Sequence, residues 1–138
     1  MFGRIVVALM ALAPTICLAG TVWERGVARG LDTYVAAIDG GRVTIACDPD
    51  RVHGTTPQGT IVILMPKDRS ATRVVFLAES GEQAAFDLRD GVAAQAMTDP
   101  DDWETMTGMM REGGRVAVVT ARDAFTLDLA PLPSLHCS

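Results

Sequence analysis

The segment LDTYVAAIDGGRVTIACD constrains the fold more than any other. Leu31–Ile38 and Arg42–Cys47, both rich in β-branched residues, flank Asp39-Gly40-Gly41. Gly40 and Gly41 can take positive φ without a Cβ clash, so the stretch predicts a β-hairpin closed by a short glycine turn. The pattern recurs where Val74–Glu79 and Gln83–Arg89 flank Ser80-Gly81. Between them, TIVILMP is a continuous apolar run stopped by Pro66, which predicts a strand buried on both faces. PDRVHGTTPQG has no apolar periodicity and is read as a loop.

Further along, Val92–Met97 is a weaker strand candidate. The stretch GRVAVVTARDAFTLDL predicts a strand, a turn around Ala121-Arg122-Asp123, and a strand with Phe125, Leu127 and Leu129 on one side. One helix is predicted near residues 100–112. Asp99 caps it, Pro100 suits its first position, Asp101, Asp102 and Glu104 favour the positive end of its dipole, and Gly113 ends it. Trp103, Met106, Met109 and Met110 share one face. The expected fold is therefore mainly β, an antiparallel β-sandwich or partly open barrel of about seven short strands with one helix.

The N-terminus, MFGRIVVALMALAPTICLAG, carries one positive charge, Arg4, then an apolar run to Ala19 with small residues at its end. This is the layout of a signal peptide cut after Ala19, giving a leader at 1–19 and one domain at 20–138. The run is too short for a spanning helix and holds Pro14 near its centre. Acylation of Cys17 is disfavoured, because the bulky Ile16 stands where a lipoprotein signal has a small residue. Cleavage leaves no anchor and implies a periplasmic or secreted location.

Two cysteines remain, Cys47 and Cys137, and an oxidising compartment pairs them in a disulfide. The bridge closes about 90 residues and ties the end of the chain to the strand carrying Cys47. Free thiols or a metal pair are the rival readings. Loss of Arg4 makes the formal charge one unit more negative than the −5 of the full chain. An acidic domain without a basic run is a poor partner for nucleic acid or anionic membranes. Lys67 is the only lysine, and with abundant Ala, Gly, Val and Arg this reads as the coding bias of a GC-rich bacterial genome.

Chemistry-bearing clusters are few. Asp48, Asp50 and His53 lie within CDPDRVHG, and carboxylate plus imidazole suits zinc, but their crowding matches no familiar ligand spacing. An Asp-Pro-Asp turn with an exposed histidine is the simpler reading. Met106, Met109 and Met110, with Met97, could offer thioethers to copper, yet Trp103 on the same face indicates a core. Ser70, Ser80, Ser134 and Ser138 sit in turns or the tail, and none occupies a nucleophile elbow. His136 abuts the cysteine bridge, and EGGRV lacks the partners of a phosphate loop. No catalytic, cofactor or metal residue is assigned.

Trp103 on a short helix, REGGRVAVV and FTLDLAPLPSLHC resemble the ending of small exported alphaproteobacterial proteins of the invasion-associated locus B-like type and their relatives. Trp23, Phe125, Leu127, Leu135 and Cys137 occupy the matching places. The resemblance implies a β-rich, non-enzymatic envelope protein and brings no catalytic residues with it. The expected function is a periplasmic or secreted binding domain whose partner is another protein of the envelope or of a host. Periplasmic copper or zinc handling and a small envelope hydrolase are the alternatives. A binding domain predicts an exposed apolar patch or an open sheet edge, with the hairpin around Ser80-Gly81 as the first place to look.

Overall fold

A computed structural model describes residues 22–56 and 58–137. The leader at 1–19, its cleavage site and Cys17 lie outside the described residues. Among the described residues nine strands and one α-helix follow in chain order. The strands β1 (Glu24–Ala28), β2 (Leu31–Ile38), β3 (Gly41–Cys47) and β4 (Thr60–Leu64) form a meander. Two hairpin strands come next, β5 (Arg73–Ala78) and β6 (Gln83–Asp87), then the short β7 (Val92–Ala94). A single 3-10 turn at Gln95–Met97 leads into α1 (Pro100–Glu112), followed by β8 (Gly114–Val119) and β9 (Ala124–Leu129).

The strands make two antiparallel sheets, ordered β1-β2-β3-β4-β7 and β6-β5-β8-β9. Among the described residues the sheets do not close into a barrel, so the sandwich is the form realised. Period-2 alternation points one side of each strand inward: Val43, Ile45, Ile61 and Ile63 from the first sheet face Phe76, Phe86, Val118 and Leu127 from the second. Phe86 sits edge-on between Phe76 and Trp103, with ring centroids at 5.6 and 6.3 Å. Each such side chain contributes roughly 1.5–3 kcal/mol by leaving water.

Turn chemistry sets the register. Asp39 and Gly40 both have positive φ (43° and 85°), a two-residue type I′ turn whose twist matches the flanking strands. Gly41 is not part of that turn. It opens β3 opposite Ile38, and the Phe125 ring lies 2.7 Å from where its Cβ would stand, so glycine is required there for room. The pairs Arg29-Gly30 and Asp90-Gly91 repeat the positive-φ arrangement between β1 and β2 and ahead of β7.

The helix forms as its sequence predicts. The Asp99 carboxylate accepts the backbone N–H of Asp101 at 2.8 Å and of Asp102 at 3.4 Å. Trp103, Met106, Met109 and Met110 are all buried. Its last carbonyls are met by the tail, where the Leu132 N–H is shared between the oxygens of Met110 (3.2 Å) and Arg111 (3.1 Å). Leu132 and Leu135 are fully buried, which brings Cys137 onto Cys47 with 4.5 Å between Cα atoms in a disulfide pair. The indole N–H of Trp23 donates to Ala130 O at 2.9 Å, joining the two sheets beside β1.

Three expectations need correction. The strand count is nine rather than about seven, because β1 was not foreseen and the weaker run does form β7. That run is a strand only to Ala94, and β6 stops at Asp87 because Asp90-Gly91 makes its own turn. The run in β4 is not buried on both faces: Ile61 and Ile63 point inward, whereas Val62 is 40% exposed. Among the described residues neither a helix nor a second sheet lies over that side, and the run is continuous because the outer face of the sheet carries few charges.

A candidate interaction face

The register of the five-stranded sheet builds this outer face row by row. Val35, Thr44, Val62 and Val92 stand directly opposite one another across β2, β3, β4 and β7. Thr33, Ala46, Thr60 and Ala94 form the next row, and Ala37, Arg42 and Leu64 the third. Across these four strands Arg42 is the sole outward-facing charge, and it stands at the β2–β3 turn end. The outer rows of the other sheet are framed by ion pairs instead, Arg73–Asp87 at 3.0 Å and Arg115–Asp128 at 3.1 Å. Small and β-branched side chains on adjacent strands leave a flat surface with little side-chain entropy to lose when covered.

One margin of this face is an unpaired edge. β1 pairs only with β2, in the register Glu24↔Val35 to Ala28↔Leu31, and all five of its residues are exposed. Val22 (78% exposed) and Val27 (73%) add apolar surface there. The hairpin around Ser80-Gly81, where an open edge was expected, is closed to a partner strand at its middle. The Asp102 carboxylate, carried on α1, accepts the Ala85 N–H of β6 at 3.2 Å.

The residues singled out for chemistry are placed as follows. Asp48 is buried, and its two oxygens accept the N–H groups of Val52 (2.8 Å) and His53 (2.9 Å). Those bonds, the His53 one foremost, hold its carboxyl below the usual carboxylate range. His53 Nε2 donates to Arg29 O at 2.7 Å, since a carbonyl only accepts. The loop is thereby pinned to the β1–β2 turn, and Asp50 stays exposed away from it. Among the described residues no three His, Cys, Asp or Glu side chains come close enough to hold a metal ion.

Met106, Met109 and Met110 lie in the core while Met97 is 89% exposed, so the four do not converge. The Ser70 hydroxyl donates to Asp68, Ser80 lies in the β5–β6 turn, and Ser134 and His136 are exposed in the tail. Ser138 lies outside the described residues. Burial, reinforced by Asp32, raises the Tyr34 phenol, which remains a neutral member of the core.

Sequence reasoning missed the outer face. Its signal was present in β4, where Val62 and Leu64 interrupt the polar-out alternation, but an apolar run reads alike whether its second side meets a layer or solvent. Among the described residues no helix is long and apolar enough to cross a membrane. No family model matches the chain, and neither a curated protein nor a solved structure is similar to it.

Proposed function

We propose that this protein is a non-enzymatic interaction domain that presents the outer face of its five-stranded sheet to another protein. The reading rests on one observation: three adjoining cross-strand rows carry only two charges, Arg42 at the β2–β3 turn end and Glu24 on the β1 margin opposite Val35, in a chain whose residues are 21% charged. Contiguous apolar surface of this kind marks sites of association in soluble domains. The partner is a protein with a flat, charge-poor surface of its own, for the rows between Thr33 and Val92 present small uncharged side chains and no cationic track for nucleic acid.

The working location is the periplasm or the exterior. The leader-like N-terminus and the Cys47–Cys137 pair support it, since such bridges persist in oxidising compartments. The resemblance of the C-terminal third to small exported envelope proteins agrees with it.

The test places a photo-crosslinking residue at Thr44 in the exporting cell, with a second at Thr126 on the other sheet as control. A discrete adduct with one identifiable protein from Thr44, absent from Thr126 and lost in Val62→Lys, supports the reading. Adducts equal at both positions, or unchanged by Val62→Lys, overturn it.

A further inference from the structure

The end of the sandwich that carries the β4–β5 loop and the β8–β9 turn holds a second site of different chemistry. The loop is fixed to the turn by two carboxylates. Asp123 Oδ2 accepts the N–H of Lys67 at 2.7 Å and of Asp68 at 3.1 Å, while its Oδ1 accepts that of Ala124 at 2.9 Å. Asp68 Oδ2 accepts the Thr120 hydroxyl at 3.1 Å, and its Oδ1 accepts the N–H and hydroxyl of Ser70 at 3.3 and 3.4 Å. The N–H groups of Lys67 and Asp68 hold the Asp123 carboxyl below its usual range. Both carboxylates therefore serve first as anchors for backbone and hydroxyl groups, with the Lys67 charge a lesser influence on Asp123.

The cations of this end are left over. Among the described residues Lys67, Arg69 and Arg122 make no ion pair, whereas Arg73 is engaged by Asp87 at 3.0 Å. Lys67, Arg69, Arg122 and Ser70 line an open cleft of about 530 Å³, together with Asp68, whose carboxylate is taken up by Thr120 and Ser70. Past Arg122 and Ser70 lies a second lobe of about 430 Å³, bounded by Ala71, Val75 and Val119. Val75 and Val119 are cross-strand partners, so they form a continuous apolar floor. The rest of the molecule is acidic. Asp99, Asp101, Asp102, Glu104 and Glu112 gather on and beside α1, and the chain's formal charge is −5. The acidic surface around α1 repels an anion, and the three clustered cations of this end attract one.

We propose that this cleft binds a small organic anion, its oxyanion head between Arg69, Arg122 and Lys67 and a short apolar body over Val75 and Val119. Guanidinium groups present forked donors that match the oxygens of a phosphate or carboxylate. The ammonium of Lys67 adds a third positive charge to the cleft. A bare inorganic ion leaves the valine floor uncovered, and a neutral apolar molecule leaves the cations unanswered. The site asks for both parts in one molecule.

The experiment titrates the purified, disulfide-bonded protein with butyl phosphate, inorganic phosphate and butanol, followed by NMR of valine methyls and arginine side chains. Butyl phosphate is expected to shift Val75, Val119 and Arg122 together, and to bind about tenfold more tightly than inorganic phosphate because part of the butyl chain leaves water. Arg122→Ala, at an exposed turn position, is expected to weaken butyl phosphate at least about tenfold, the loss of one charge-assisted contact. Val75→Thr keeps the strand geometry and removes the preference for the butyl compound while leaving inorganic phosphate unchanged. Equal affinity for the two phosphates would overturn the apolar subsite. Binding insensitive to Arg122→Ala, or no shift at these residues, would overturn the site as a whole.

Discussion

Asp48 shows how much a single side chain can hold at the edge of a core. It is 3% exposed, and both oxygens are answered by the backbone of its own loop. Its folded pKa lies below the ordinary 3.8, so the stabilisation is fully present above that pH and is lost as pH falls through the folded value. Asp123 behaves alike across the β4–β5 and β8–β9 segments. Urea midpoints measured from pH 6 down to pH 2 are expected to fall less steeply for Asp48→Asn than for the wild type, with the variant already weaker at pH 6. At this scale the sequence was informative where the residue acts locally. The Asp-Pro-Asp turn, the Asp99 cap and the Gly113 stop are all recognisable from the chain. The reason for Gly41 was not, because the ring that excludes a side chain there belongs to Phe125, distant in sequence.

At the scale of elements, legibility followed amphipathic contrast. β2, β3, β8 and β9 alternate or run apolar and were recognised, as was α1 by its buried face. β1 reads ERGVA and buries none of its five residues, so it has no pattern for sequence reasoning to find; pairing with β2 and the Arg29-Gly30 turn make it a strand. The contrast between β1 and β6 is a contrast between an open and a guarded edge. Asp102 reaches from α1 to the Ala85 N–H and denies that edge to an incoming strand. Asp102→Ala is expected to raise concentration-dependent self-association, seen by light scattering at physiological temperature. Asp102→Asn, which keeps an acceptor oxygen, is expected to stay near wild type. Equal behaviour of the two variants would place the effect in the helix dipole instead.

For the whole molecule, the sequence carried the class of fold and the cysteine pairing, while the order of strands and hence the candidate face stayed out of reach. An uncovered face is a property of what lies beside it, and nothing in β2, β3 or β4 states that no layer packs on their outer rows. The bridge between Cys47 and Cys137 spans 90 positions and restrains the unfolded chain more than the folded one. Replacing both cysteines by alanine is expected to lower unfolding stability by up to about 4–5 kcal/mol in the chain-entropy account, and to increase the denaturant slope as the unfolded ensemble expands. Chemical denaturation of the paired and alanine forms side by side reads both quantities. A loss below about 1 kcal/mol would mean that the buried tail, with Leu132 and Leu135, holds the end of the chain by itself.

The same bridge turns the described chain into a ring with a short lead. Tension applied between residue 22 and the tail would travel from Cys47 directly to Cys137 through covalent sulfur, bypassing everything between them. Only β1, β2 and the body of β3 could be peeled out, a reach of roughly 80–90 Å for a fully extended segment of that length. The cleft under Arg122 and the helix with its tail lie within the ring. Mechanically, the domain has a short extensible arm on a body that pulling cannot unravel.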